Sequence, residues 1–148
     1  MGRKTVRDGG AFAKSIIGQV RETAAELGKS DNADLRAIGK RLSESGAALE
    51  DVVNYIAATS KTDIKAAFAG SVPYLKMAGV VFGGWQMGRA ALAASRKLAA
   101  SEGDTSFYAA KISTARFFAD HFLSAASASR AAIVEGSAGV LALTEAQF

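Results

Sequence analysis

The sequence predicts an all-α domain, an antiparallel four-helix bundle with short extra helical turns. Three observations carry that expectation. The 148 residues hold one proline, the chain is rich in alanine, and no segment alternates apolar and polar residues with a period of two. Apolar residues instead return every three or four positions over four long segments, joined by short polar turns. A chain of this length buries roughly 68–70% of its unfolded surface, enough for one core without covalent staples.

The first helix is expected from Gly9 to Leu27. Asp8 can accept a bond from an early free N–H, and Gly28 suits a left-handed position just past the end. Phe12, Ile16, Val20, Thr23 and Leu27 share one face. The second is expected from Asn32 to Thr59. Leu35, Ile38, Leu42, Ser45, Leu49, Val52 and Ile56 step by three and four, a heptad seam with one polar interruption. Arg36, Lys40, Arg41, Glu44 and Glu50 fall on the opposite, water-facing side. Asp63 to Phe68 reads as a short helical connector.

The third long helix is expected from Pro73, a proline suited to a first turn, to about Ser101. One face shows Tyr74, Met77, Val81, Gly84, Gly88, Ala91 and Leu98; a neighbouring face shows Ala78, Phe82, Trp85 and Leu92. Two apolar faces mark a central helix or one shared with a partner. Gly79/Gly83 and Gly84/Gly88 are spaced by four. Each glycine costs about 1 kcal/mol of helix propensity, so close approach by a neighbouring helix is the expected return. The fourth helix is expected from Thr105 to Glu135, with Gly103 ending its predecessor and Tyr108, Ile112, Ala115, Phe118 and Phe122 as its core stripe.

Chemistry is harder to find. Cysteine is absent, which excludes disulfides and zinc–thiolate sites and fits a reducing, cytoplasmic setting. The apolar run from Met77 to Ala94 contains Gln86 and Arg89 and falls short of the about 20 clean apolar residues of a membrane span. His121 is the one histidine, so neither a Glu-x-x-His di-iron pair nor a hydrolytic triad is written here, and no metal site is expected. The segment Gly79-Val-Val-Phe-Gly-Gly does not match a dinucleotide or phosphate loop, and no strand precedes it. A net charge of +4 is mildly basic. Arg3, Lys4 and Arg7 form a basic arm too small for a nucleic-acid face. Arg89 and Arg116 each interrupt an apolar helix. Each snorkels to the surface or pairs with an acid in the chain, or else bridges to another domain or subunit.

The passage from Pro73 to Phe122 resembles a known domain. Its elements are Pro73-Tyr74-Leu75, Gly83-Gly84-Trp85, Arg89-Ala-Ala-Leu92-Ala-Ala, and Tyr108-Ala-Ala-Lys-Ile-Ser-Thr-Ala-Arg116-Phe-Phe-Ala-Asp-His121. They resemble the C-terminal helical domain of the acyl-CoA dehydrogenases, in the branch of 3-methylmercaptopropionyl-CoA dehydrogenase-like enzymes. Gly2-Arg3-Lys4 with Asp8-Gly9-Gly10 looks like the family's junction between catalytic core and this domain. Ser124 stands where the family often has a proline after Phe-Leu, so the helix from Thr105 is expected to run on.

The resemblance implies a parent enzyme in which a flavin (FAD) takes hydride from the substrate's β-carbon while a glutamate removes the α-proton. That glutamate belongs to a Tyr-Glu-Gly-Thr motif ahead of the junction. This chain starts after it and is expected to carry neither base, nor flavin core, nor any catalytic residue. Its expected work is structural: to cover the catalytic core, its partner, and to extend a homodimer interface. Phe82, Trp85 and Leu92, flanked by Arg89 and Arg116, are the candidate docking surface. The isolated chain is expected to dimerise through it, and Trp85→Glu to weaken that association. The alternative, from another class, is a free-standing amphipathic bundle that coats a hydrophobic surface, as phasin-like granule proteins do.

Overall fold

The computed structural model describes Met1 and residues 5–147, Ser127 by its backbone alone; Gly2-Arg3-Lys4 of the junction and basic arm lie outside the described residues. The described residues are all-α. The long helices are α1 (Ala11–Gly28), α2 (Ala33–Thr59), α4 (Ser71–Ala99) and α5 (Thr105–His121). The short α3 (Ile64–Ala69) precedes α4, and α6 (Ala126–Val134) and α7 (Ser137–Val140) follow α5.

Local chemistry accounts for most of the boundaries. Asp8 accepts from the N–H groups of Gly10 and Phe12, at 2.9 and 3.1 Å, and Gly10 caps α1 at a φ of 84°. Asn32 caps α2 by accepting from Asp34 and Leu35, Asp63 caps α3 through Ala66, and Asp104 caps α5 through Phe107. Pro73 lies in the first turn of α4, where its missing N–H has no helical acceptor to lose. Gly28 does not take the left-handed conformation expected of it. The N–H of Lys29 closes the end of α1 on Glu26 and Leu27, and the chain leaves without needing positive φ. The left-handed residue after α4 is Ser101, at φ 53°. Its N–H bonds to Leu98 and that of Glu102 to Lys97, the paired bonds of a Schellman closure.

α2 lies at the centre and packs on α1, α4, α5 and α6. Its seam is buried throughout, and the polar interruption at Ser45 is satisfied by the Leu42 carbonyl at 3.1 Å. α1 and α2 run antiparallel: a Cβ on Gly10 would meet Val53, and one on Gly39 would meet Ala24 and Leu27. α4 and α5 also run antiparallel, with Gly83 against Phe118 and the loop glycine Gly103 against Tyr108.

The fourth helix departs from expectation. It does not run from Thr105 to Glu135 but stops at His121, tightens into a 3₁₀ turn at Leu123–Ala125 and restarts as α6. No proline is needed. The turn drives Leu123 into the gap left by Gly84, where an added Cβ would come within 2.6 Å of it, and Ser124 Oγ takes up the freed Asp120 carbonyl at 2.7 Å. Ile133 on α6 then seals against Gly70.

Candidate interaction surface

The five residues singled out in the sequence do not form one free face. Phe82, Trp85 and Leu92 are half-buried and pack against the core. α1 shares in covering them. The Trp85 indole N–H donates to Thr23 Oγ1 at 2.9 Å, and Phe82 lines a small hollow with Phe12, Ala13 and Ile16. The face on α4 that looked spare therefore has an occupant within the chain, because the Phe12–Leu27 face of α1 also needed one. A Trp85→Glu change would break this internal contact, so it reports on folding before association.

Arg89 is exposed. It lies 5.4 Å over the Trp85 ring and donates to Gln86 Oε1 at 3.0 Å. Among the described residues it makes no ion pair. It borders an open cleft of about 520 Å³ between α1 and α4, together with Thr23, Glu26, Gln86 and Arg96. Arg96 is already paired with Glu26 at 2.6 Å.

Arg116 belongs to a different side. Its guanidinium bonds Asp120 at 2.6 Å and Asp34 at 3.0 Å, which ties α5 to the start of α2. Arg41 reaches the other Asp120 oxygen at 3.9 Å. The hydrogen bond that Arg116 donates to Asp120 holds its pKa above the ordinary value, so the group keeps its charge at any accessible pH. His121 is exposed with its ring 4.4 Å from that of Phe117, and among the described residues no group of acids and imidazoles could hold a metal ion. Nor is any described helix long and apolar enough to cross a membrane.

The α4 glycines divide. Gly84 and Gly88 are buried and receive Leu123 and Leu27, the latter at 3.0 Å from a Cβ position. Gly79 meets nothing within 4 Å and faces outward. Near it in the chain, sequence reasoning missed a group of exposed apolar residues on either side of the α3–α4 break at Gly70: Ile64 and Phe68 on α3, Val72 and Leu75 on α4, exposed by 48, 43, 63 and 73%. Treating Asp63–Phe68 as a connector hid the α3 half of that group. α7 packs on α3 and brings Val140 and Leu141, also exposed, to the same end.

Comparison with known proteins identifies the family of this domain. The family model described as "Acetyl-CoA dehydrogenase C-terminal like" matches residues 16–144. The chain belongs to that family. It is 41% identical over 135 residues to a 3-methylmercaptopropionyl-CoA dehydrogenase of Ruegeria pomeroyi, covering 91% of this chain and 23% of that protein. It is 30% identical over 153 aligned positions to a broad-specificity linear acyl-CoA dehydrogenase of Mycobacterium tuberculosis, covering 99% of this chain and 25% of that one. The chain thus spans about a quarter of the length of these curated relatives. The family expected from the Pro73–Phe122 passage is the one found.

Proposed function

We propose that this chain serves as the C-terminal accessory domain of a flavin-dependent acyl-CoA dehydrogenase. The parent reaction is α,β-dehydrogenation of an acyl-CoA thioester: a base takes the α-proton and FAD takes hydride from the β-carbon. The domain's own part is structural. It packs on the catalytic core and supports subunit assembly, while base and flavin belong to the remaining three-quarters of such an enzyme. The observation that carries this reading is the 41% identity to the Ruegeria enzyme across 91% of the chain. Its physical support is the domain itself, whose buried groups serve packing and whose Arg116 pairs within the chain with Asp34 and Asp120.

The test is the size and colour of the native protein. An antibody against this chain should detect, in the source cells, a polypeptide far larger than 15.3 kDa. Captured from lysate, that polypeptide should carry flavin absorbance and reduce an electron acceptor on addition of an acyl-CoA. A flavin-free band at the size of this chain would overturn the reading and leave the surface-coating alternative.

A further inference from the structure

The apolar ridge of Ile64, Phe68, Val72 and Leu75 has no cover within the described fold. All four side chains are exposed by 43% or more. Large apolar side chains exposed together, rather than singly, mark a surface meant to be covered.

Charge decides what covers it. Lys65 follows Ile64 and Lys76 follows Leu75, and Lys61 precedes the ridge; all three are exposed. The sole carboxylate between positions 61 and 76 is Asp63, which is occupied as the cap of α3. A second copy docked ridge to ridge would set these lysines against their own kind. A partner with an apolar patch rimmed by carboxylates would meet no such repulsion. Position adds to this. The family model describes a C-terminal region, so the rest of such a protein precedes this domain. Residue 1 packs against the core, and Thr5 Oγ1 bonds the Tyr74 hydroxyl at 3.0 Å, one residue from Leu75. A preceding core therefore enters the domain beside the ridge.

On the accessory-domain reading above, we infer that this ridge at the α3–α4 junction is the face that docks on the parent's catalytic core, against an apolar patch with an acidic rim. The occupant is that core, not a second copy of the domain.

A lysine footprint tests it. The chain is grafted into the Ruegeria relative in place of the matched quarter, and acetylation of each lysine is compared between the flavin-loaded graft and the isolated chain. Lys65 and Lys76 should fall several-fold in reactivity in the graft, while Lys97 and Lys111 stay unchanged. Val72→Glu with Leu75→Glu should restore both, and so should raised salt in part. Both substituted positions are exposed, so helicity of the isolated variant should match the unsubstituted chain. If the graft does not retain flavin, excess isolated chain added to the flavin-loaded relative lacking its matched quarter gives the same comparison. Protection of Lys97 and Lys111 instead would overturn the ridge and leave the accessory-domain reading standing. No protection anywhere would overturn both. Protection already present in the isolated chain and lost on dilution would assign the ridge to a second copy.

Discussion

Replacing Gly39 by alanine should destabilise the domain although it adds a better helix former. Gly39 is buried in α2 where that helix crosses the end of α1. A Cβ there would stand 2.8 Å from the Ala24 carbonyl oxygen, 2.9 Å from Leu27 Cβ and 3.1 Å from the Gly28 nitrogen. Two of these three are backbone atoms, which cannot rotate aside. Ordinary contact starts near 3.4 Å, so the helices must part by about half an ångström along a seam as tightly packed as an organic crystal. Overpacking of this kind costs about 1–3 kcal/mol, and a backbone obstacle puts Gly39 near the upper end. The gain in helix propensity returns about 1 kcal/mol. The net loss is about 2 kcal/mol, and at this chain length that lowers Tm by about 6–8 °C. Gly79→Ala is the internal control. Nothing lies within 4 Å of its Cβ position, so the propensity gain stands alone and Tm should rise by about 3–4 °C. Thermal and urea melts followed by circular dichroism at the helix band read both. If Gly39→Ala melts with or above the unsubstituted protein, close packing at this crossing is not what the glycine is for.

Other consequences can be measured on the same chain. Trp85→Phe keeps the ring's bulk but leaves Thr23 Oγ1 without its donor, and urea melts should show a loss of about 1 kcal/mol. Ser101→Gly places a residue at home with positive φ in the left-handed closure of α4, and thermal melts should show a gain of about 1 kcal/mol. A double-mutant cycle over Arg116→Ala and Asp34→Ala should return a coupling under about 1 kcal/mol, because both side chains are a third exposed or more, and salt should shrink it further. A coupling of several kcal/mol would mean that the pair is sealed from water. Asn32→Ala removes the acceptor for Asp34 and Leu35, so α2 should fray at its start and urea melts should show a loss of about 1 kcal/mol.

What was legible in the sequence follows from what is local. The all-α class, the seam of α2, the cap at Asp8 and the start of α2 near Asn32 rest on neighbours within four positions, and local pattern reports those directly. Family membership was legible in the Pro73–Phe122 passage because its motifs are contiguous. What was not legible depends on distant partners. Nothing near Trp85 says that Thr23, 62 positions away, will accept its N–H. Nothing near Phe122 says that a gap at Gly84 will pull Leu123 inward and end the helix. Gly39 sat unnoticed inside a regular seam, whereas the glycines of α4 drew notice by their spacing, and one of them, Gly79, packs against nothing. A docking face judged from an apolar stripe alone could not be told from a core face, and Phe82, Trp85 and Leu92 lie half-buried against α1.

The central place of α2 also has a meaning during synthesis. α1 and α2 form a hairpin that is complete once residue 59 is made, but the remaining walls of the α2 seam belong to α4, α5 and α6. At about 5–20 residues per second, the ribosome needs about 3–12 s more to reach the end of α5. For that interval a row of leucines, isoleucines and valines stands open to solvent on a half-built domain. The nascent chain is therefore most exposed to chaperones and to wrong pairings before its second hairpin emerges. Slow codons placed between α2 and α4 would lengthen that exposure.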